Sequence, residues 1–216
     1  MKGRDNMKKK EIKKGMDIVF LLDRSGSMAG IESDTIGGYN SYINDNVDKD
    51  VKVTTVLFDN EYEMLTKREN IKNIKEMTTK EYYVRGSTAL LDAIGQTINY
   101  LDNENAKKVM FIITTDGLEN SSRNFTKEQI KEMIQGHKNW EFIYIGANID
   151  SYSEGSSLGI DTKNISNYKK DKRGVSTLFN SVSKASTMYM CNDSIDYSWK
   201  DDLENYINEN KELSER

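Results

Sequence analysis

Three short runs of almost continuous apolar residues constrain the fold of this chain more than any other feature. They cover residues 18–22, 109–113 and 142–145, and each is followed by polar residues or glycine. Runs of this length without alternation are typical of strands that are buried on both faces of a sheet. Such strands need cover on both sides, so these runs favour an α/β architecture with a mainly parallel sheet.

Amphipathic helical patterns separate and follow these runs. Apolar residues recur at helical spacing in the segments 36–47, 90–101, 130–134 and 175–185. Strands that alternate with helices imply βαβ crossovers and a sheet that is covered on both faces. We therefore predict a doubly wound α/β fold with a mainly parallel six-stranded sheet and helices on both faces.

One strand is predicted to run antiparallel at an edge of this sheet. Segment 51–58 alternates between two faces, and a further strand is predicted at residues 62–65, after a connection of residues 59–61. So short a connection demands a hairpin. A weaker sixth strand is expected at residues 164–168, and apolar residues at helical spacing in 203–213 predict a final helix.

The length of 216 residues fits one domain. We place that domain at residues 15–192, after a charged N-terminal tail at 1–14 and before a C-terminal helical extension at 193–216. No run approaches the roughly 18 apolar residues that cross a bilayer, and the lysine-rich N-terminal segment lacks the apolar stretch of a signal sequence. We therefore expect a cytoplasmic protein that does not contact a membrane.

Composition argues against several classes of function. The chain has 31 basic and 35 acidic residues, a formal net charge of −4, which disfavours nucleic acid as a partner. Its single cysteine, Cys191, excludes intrachain disulfides and cysteine-based zinc sites. The chain has a single histidine, His137, which disfavours histidine-rich metal sites and catalytic Ser-His triads. His137 is interpreted as a helix-end residue at the rim of the core.

Carboxylates and hydroxyls gather where the predicted strands end. Asp23, Ser25 and Ser27 follow the first apolar run at alternate positions, Thr88 precedes a predicted helix, and Asp116 follows the second run. In a doubly wound sheet the first and fourth strands are neighbours, and their carboxyl ends flank the position where ligands bind. We therefore predict that Asp23 and Asp116 face one crevice.

This set of oxygen atoms suits a hard divalent cation. Two carboxylates with small hydroxyls, without histidine or cysteine, match Mg²⁺, Mn²⁺ or Ca²⁺ and match zinc poorly. Two aspartates balance the charge of such an ion. If they act through water while the hydroxyls bind directly, the ion stays electrophilic and can accept another carboxylate. We expect an exposed acidic residue of a partner protein to complete the coordination.

At these residues the chain resembles the metal-ion-dependent adhesion site of von Willebrand factor type A domains. The expected residue types stand in the expected order at Asp23, Ser25, Ser27, Thr88 and Asp116, and the resemblance covers about residues 16–189. It implies that the three hydroxyls bind the ion directly or nearly so, and that both aspartates often act through water. It also implies a module that binds another protein through the metal. Segments 35–40 and 88–94 are similar to compact bacterial and phage members.

Two other functions stay open at this point. Phosphoryl-transfer hydrolases also place an aspartate at the end of a first parallel strand, as at Asp23, but their second aspartate two positions later is replaced here by Ser25. We therefore expect no catalysis. The second alternative is a structural or assembly component of a phage or of a multiprotein ATPase, which would use the same metal site. We expect the free protein to be a monomer.

Residues beside the predicted centre have a structural and a functional interpretation. Exposed loop side chains there are candidates for contact with a partner: Arg24, Met28, Glu119, Asn120 and Arg123. Asp92 lies one turn into a predicted helix, where a carboxylate favours the helix dipole. Asp59 and Asn60 are interpreted as turn residues of the hairpin.

Overall fold

A six-stranded sheet forms the centre of the structure, a computed structural model that describes residues 15–147 and 149–214. Its strands in chain order are β1 (Met16–Asp23), β2 (Val51–Phe58), β3 (Tyr62–Asn70), β4 (Val109–Thr115), β5 (Trp140–Gly146) and β6 (Ile165–Asn167). They lie side by side in the order β3-β2-β1-β4-β5-β6. All neighbours pair in parallel except β2 and β3. The predicted sheet with its one antiparallel edge strand is therefore confirmed.

The burial of each strand follows its sequence pattern. Every residue of β1 and β4 is buried, as the continuous apolar runs predicted. The edge strand β3 is only partly buried and carries many polar side chains. It continues to Asn70, beyond the end predicted at residue 65, because its ladder with β2 resumes after register shifts between Val53 and Val56. The runs that most constrained the fold thus form the centre of the sheet.

Helices pack on both faces of the sheet. They are α1 (Glu32–Asp45), α2 (Leu90–Asn103), α3 (Lys127–Gly136), α4 (Ser151–Ser157), α5 (Lys172–Asn192) and α6 (Asp201–Ser214). Phe20 of β1 shares one core with Tyr39 of α1 and Phe179 of α5. Leu21 points to the other face and shares a second core with Ile94 of α2. Successive residues of one strand therefore serve two cores, which defines the doubly wound arrangement.

The structure departs from the predicted helices in two places. Helix α4 was not predicted, because its sequence, Ser-Tyr-Ser-Glu-Gly-Ser-Ser, has no apolar period, and Asp150 begins it by accepting a hydrogen bond from the Ser153 amide. The helical pattern predicts that the first helix includes Val47, but α1 ends at Asp45 and Val47 is 37% exposed. The segment after Asp45 instead forms a turn that leads into β2.

The C-terminal segment packs on the same core as α1 and α5. Leu203 of α6 and the preceding Trp199 are buried in that core, and the indole nitrogen of Trp199 donates to the Lys163 carbonyl at 2.9 Å. The predicted final helix is therefore present, whereas the predicted tail at 1–14 lies outside the described residues. Within those residues, no helix combines the length and the apolar character that a membrane span requires.

The contact between α1 and α5 yields a matched pair of substitutions. A methyl group on Gly38 would overlap the buried Phe179 ring, whereas one on Gly37 would meet nothing within 4 Å. We expect Gly38→Ala to lower the free energy of unfolding by about 1–3 kcal/mol through overpacking. Gly37→Ala should raise it by about 0.5–1 kcal/mol, because alanine favours the helix. Urea unfolding measures both values, and equal stability of the two variants would contradict the close contact.

Candidate metal centre

The candidate centre lies where the carboxyl ends of β1 and β4 meet. These strands are direct parallel neighbours, with Leu22 opposite Thr114, and the strand order reverses between them. Asp23 is the last residue of β1, and Asp116 directly follows β4. The predicted position at the topological switch point of the sheet is therefore the observed one.

Three hydroxyl groups converge on one point beside Gly117. A Cβ atom on Gly117 would lie 2.8 Å from the Oγ1 of Thr88, 3.0 Å from the Oγ of Ser27 and 3.6 Å from the Oγ of Ser25. The two serine oxygens are 2.9 Å apart. Two separate loops thus bring hydroxyl oxygens close to the backbone at Gly117, where a larger residue would collide with them.

Asp23 is completely buried and fixed by two hydrogen bonds. Its Oδ1 accepts from the Ser25 amide at 2.6 Å, and its Oδ2 accepts from the Thr115 hydroxyl at 2.5 Å. Burial raises the pKa of this carboxyl to about 6, although both hydrogen bonds lower it, and the charge of Asp116 adds a small further increase. A carboxylate in such a dry position is stabilised by any cation that binds beside it.

Asp116 is buried as deeply but is only partly satisfied. Its side chain is 1% exposed, and its Oδ2 lies 2.8 Å from the Nζ of Lys170. Its Oδ1 is buried and has no hydrogen-bond partner among the described residues. Buried carboxylate oxygens nearly always have a partner. The orphaned atom therefore indicates room for a further ligand at this position.

The side chain of Arg24 anchors the first loop from behind. It is completely buried, and its guanidinium donates to the Oδ2 of Asp59 at 3.0 Å and to Glu63 at 2.7 Å. Arg85 donates to the same Asp59 oxygen at 2.8 Å. Asp59 is a turn residue, as interpreted, since its Oδ1 accepts from the Glu61 amide. Asp59 therefore bonds two arginines. Arg24 belongs to the loop that carries Ser25 and Ser27, and Arg85 belongs to the loop that carries Thr88.

The prediction that Arg24 and Met28 are exposed is therefore wrong. Arg24 is turned away from the crevice because side chains alternate at the end of β1, and Asp23 and Ser25 take the crevice side. Met28 is 2% exposed and belongs to the core between the sheet and α5. Arg123 and Asn120 do lie at the surface, and the Asn120 side chain accepts a hydrogen bond from the Thr88 amide at 2.9 Å.

Asp92 clamps the loop that follows Asp116. Its carboxylate accepts hydrogen bonds from the amides of Arg123, Asn124 and Phe125 at 2.8–3.0 Å. Glu119 reinforces the same loop by accepting from the amide of Leu91 at 3.0 Å. Asp92 therefore positions the loop, a role beyond the helix-dipole interaction that its place in the sequence indicated.

Sequence reasoning missed three residues that contact the centre. Thr115 bonds Asp23, the Tyr82 hydroxyl donates to the Asp23 carbonyl at 2.5 Å, and Lys170 pairs with Asp116. Thr115 stands beside Asp116 at the end of an apolar run, so its position in the sequence was a usable signal. Tyr82 and Lys170 lie in loops without a pattern, and only the fold brings them to the site.

The donor atoms fit a small hard cation. Across residues 15–147 and 149–214, no group of three or more histidine, cysteine, aspartate or glutamate side chains is placed to hold a metal ion. The candidate set instead combines two carboxylates with three hydroxyls. All its donors are oxygen atoms, as such an ion prefers, and one of them, the Oδ1 of Asp116, is buried without a hydrogen-bond partner among the described residues.

Known proteins resemble this chain in structure. No protein-family model and no curated protein matches its sequence. The ArnB paralog VWA2 from Sulfolobus acidocaldarius has a TM-score of 0.59 and 22% identity over 80% of this chain and 45% of that one. The pilus adhesin SpaC from Lactobacillus rhamnosus GG has a TM-score of 0.65 and 15% identity over 80% and 30%. The vWF domain of a type V pili tip protein from Porphyromonas gingivalis has a TM-score of 0.60 and 11% identity over 82% and 96%.

These similarities establish the architecture. The chain spans less than half the length of the archaeal protein and of the adhesin, but nearly all of the separate tip-protein domain. At identities of 11–22% the likeness concerns the fold alone. The protein therefore has the Rossmann-like fold of von Willebrand factor type A domains, as the resemblance implied.

The clamp formed by Asp92 leads to a prediction about stability. Burial raises the pKa of this carboxyl, but the hydrogen bonds from Arg123, Asn124 and Phe125 outweigh it and hold the pKa below the usual 3.8. Asp92→Ala would leave these amides without an acceptor, so we expect the free energy of unfolding at pH 7 to fall by about 2–4 kcal/mol. Because the folded-state pKa is depressed, this contribution is present above about pH 4 and is lost as the pH falls through the lowered pKa.

Urea unfolding at pH 7 and at pH 3 tests the clamp, with Asp34→Ala as the control. Asp34 also lies in the first turn of a helix, but among the described residues it bonds no comparable loop. Its replacement should cost only the dipole contribution, about 0.3–1 kcal/mol. Equal losses for the two variants at pH 7, or a loss for Asp92→Ala that does not shrink at pH 3, would contradict the clamp.

Proposed function

We propose that this chain is a protein-binding module whose contact with its partner depends on a divalent cation. The observation that carries the proposal is the convergence of three hydroxyls beside two buried carboxylates. Ser25, Ser27 and Thr88 would contact the ion, and Asp23 and Asp116 would balance its charge through water. Because every donor is oxygen, Mg²⁺ is the first candidate, with Mn²⁺ and Ca²⁺ as alternatives.

The choice of ligands determines what the module would recognise. A bound ion would supply an electrophilic position for a carboxylate oxygen of the partner. The hydroxyls of Ser25, Ser27 and Thr88 carry no charge, so they leave that position attractive to an anion. The hydrogen bonds to Asp23 hold its carboxylate in place, and glycine at position 117 lets the hydroxyls lie close to the backbone. Of the three hydroxyl residues, Ser27 is exposed, whereas Ser25 and Thr88 are buried. The expected partner is therefore a protein with an exposed acidic residue.

Two large exposed apolar side chains stand on the loops that carry the candidate centre. Leu118, directly after Gly117, is 55% exposed, and Tyr83 is 44% exposed. The Tyr83 ring lies 5.6 Å from the Arg24 guanidinium carbon and 5.5 Å from that of Arg85, so it stands on the network that supports the site. Large exposed apolar residues are common at sites of protein interaction. We propose that the partner adds apolar contacts to Leu118 and Tyr83.

An enzymatic role has less support. Asp23 is completely buried, so its carboxylate is not exposed to a substrate. An assembly role is compatible with the same surface, and structural neighbours from pili make a position outside the cell the alternative to the cytoplasm. Fractionation of the native cells would decide between these compartments.

Titration calorimetry of Mg²⁺ and Mn²⁺ into metal-stripped protein tests the ion site. We expect one site in the wild-type protein, no binding by the Asp23→Ala, Asp116→Ala double variant, and affinity lower by roughly tenfold or more in Thr88→Val. Gly117→Ala should also weaken binding, because its methyl group would lie 2.8 Å from the Thr88 hydroxyl oxygen.

The control for Gly117→Ala is Gly136→Ala, since a methyl group on Gly136 would meet nothing within 4 Å. This variant should bind the ion as the wild type does. Circular dichroism verifies that all variants are folded. Ion binding that survives in the double aspartate variant, or that is absent from the wild type, would contradict the proposed site.

A displayed library of random peptides tests the partner class. We expect peptides selected on the wild-type protein in Mg²⁺ and eluted with EDTA to be enriched in Asp or Glu, and selection on the double aspartate variant to show no enrichment. The coupling between the two ligands is reciprocal. A selected peptide should therefore raise the affinity of the protein for the ion by the same factor by which the ion raises its affinity for the peptide. Leu118→Ser should weaken peptide binding and leave ion affinity unchanged. Peptides that are retained in EDTA would argue against the ion-dependent contact.

A further inference from the structure

A lysine from a third loop reaches the candidate metal centre. Lys170 lies between β6 and α5, and its ammonium is 2.8 Å from the Oδ2 of Asp116. The same ammonium donates to the backbone carbonyl of Ser27. It therefore joins two of the five residues to which the ion site is assigned.

This ion pair balances a charge that would otherwise be costly. The Asp116 side chain is 1% exposed and the Lys170 side chain is 22% exposed. A buried carboxylate without a cation is strongly destabilising. Among the described residues, Lys170 is the cation that pairs with Asp116. In the protein without an ion, this lysine supplies the positive charge that Asp116 needs.

A divalent cation and this ammonium would compete for the same carboxylate. An ion beside the three hydroxyls would place two further positive charges a few ångströms from the Lys170 ammonium. Like charges at that distance repel strongly where water is largely excluded. Ion binding is therefore more favourable if the ammonium leaves Asp116.

The surroundings of Lys170 allow its side chain to leave while the backbone stays in place. On one side, the Tyr168 amide donates to the Gly146 carbonyl at 2.9 Å. On the other, Asp171 caps α5 by accepting from the Gly174 amide at 2.8 Å, and it also accepts from the Tyr206 hydroxyl. The lysine side chain between them is flexible and partly exposed, so it can turn towards solvent.

The geometry points to Lys170 as a built-in competitor of the divalent cation at Asp116, displaced into solvent when the ion binds. This inference rests on the proposed function, because it requires that the centre binds an ion. Its consequence is a lower affinity for the ion alone. Without a partner, the lysine-bound form would persist up to higher Mg²⁺ concentrations, and the carboxylate of a partner would lower the Mg²⁺ concentration at which the ion displaces Lys170.

Calorimetric titration of Mg²⁺ into metal-stripped variants tests the competition. Lys170→Gln removes the ammonium and should raise ion affinity by roughly tenfold or more. Lys170→Arg keeps a positive charge in the same loop and should stay closer to the wild type. The control is Lys172→Gln, which changes the net charge of the protein by the same amount at an exposed position. Its ion affinity should stay within about twofold of the wild-type value.

Amine labelling in the wild-type protein gives an independent measurement. If the ion displaces Lys170, saturating Mg²⁺ should increase the rate at which an acetylating reagent modifies this amine, as followed by mass spectrometry. The labelling rate of Lys172 should not change. This measurement also decides the question if Lys170→Gln proves to be unfolded without the ion.

The outcomes separate this inference from the proposed function. Equal Mg²⁺ affinity in the wild type and in Lys170→Gln would leave the ion site standing and overturn the competition. Unchanged labelling of Lys170 at saturating Mg²⁺ would do the same. Tighter Mg²⁺ binding by Lys170→Gln than by the wild type would support the competition directly, whereas no binding by any variant would overturn both proposals.

Discussion

The parallel pairing of β1 with β4 is the constraint on which the rest of the site depends. It brings Asp23 and Asp116 to one edge of the sheet, in a place that is dry because both strands are buried on both faces. Two carboxylates so close together repel each other and have lost most of their hydration. Each is stabilised in a different way. Asp23 is held by hydrogen bonds from Thr115 and the backbone, whereas Asp116 is paired with a lysine.

The loops around this edge are held by supports that lie outside the crevice. Asp59 holds the loop after β1 through Arg24 and the loop before α2 through Arg85, and Asp92 holds the loop after β4. Asp59, Arg24 and Asp92 are buried, and Arg85 is partly exposed. A binding site built on loops needs such fixed supports, because the hydroxyl positions are only as precise as the backbone that carries them. The arrangement explains how short polar side chains from separate loops can meet at one point.

Much of the fold could be predicted because local patterns determine it. The apolar runs of β1, β4 and β5 are continuous, and the connection at 59–61 is too short for anything but a hairpin. The positions of the candidate residues Asp23, Ser25, Ser27 and Asp116 followed from the ends of β1 and β4, and that of Thr88 followed from the start of a predicted helix. The burial of Arg24 could not be predicted, because its partner Asp59 lies 35 positions away in the sequence. Lys170 was missed for the same reason, and α4 because its polar sequence has no helical period.

Charge balance connects the three states that the proposals describe. Two carboxylates with the ammonium of Lys170 give the centre a net charge of minus one. Replacement of the ammonium by a divalent cation makes the centre neutral, and the carboxylate of a partner returns it to minus one. The centre therefore stays close to neutral at each step, as a site of low dielectric requires. Because Lys170 lies within reach, the centre could release an ion without leaving the buried Asp116 carboxylate unpaired. Attachment to an acidic partner through the ion could therefore be reversible.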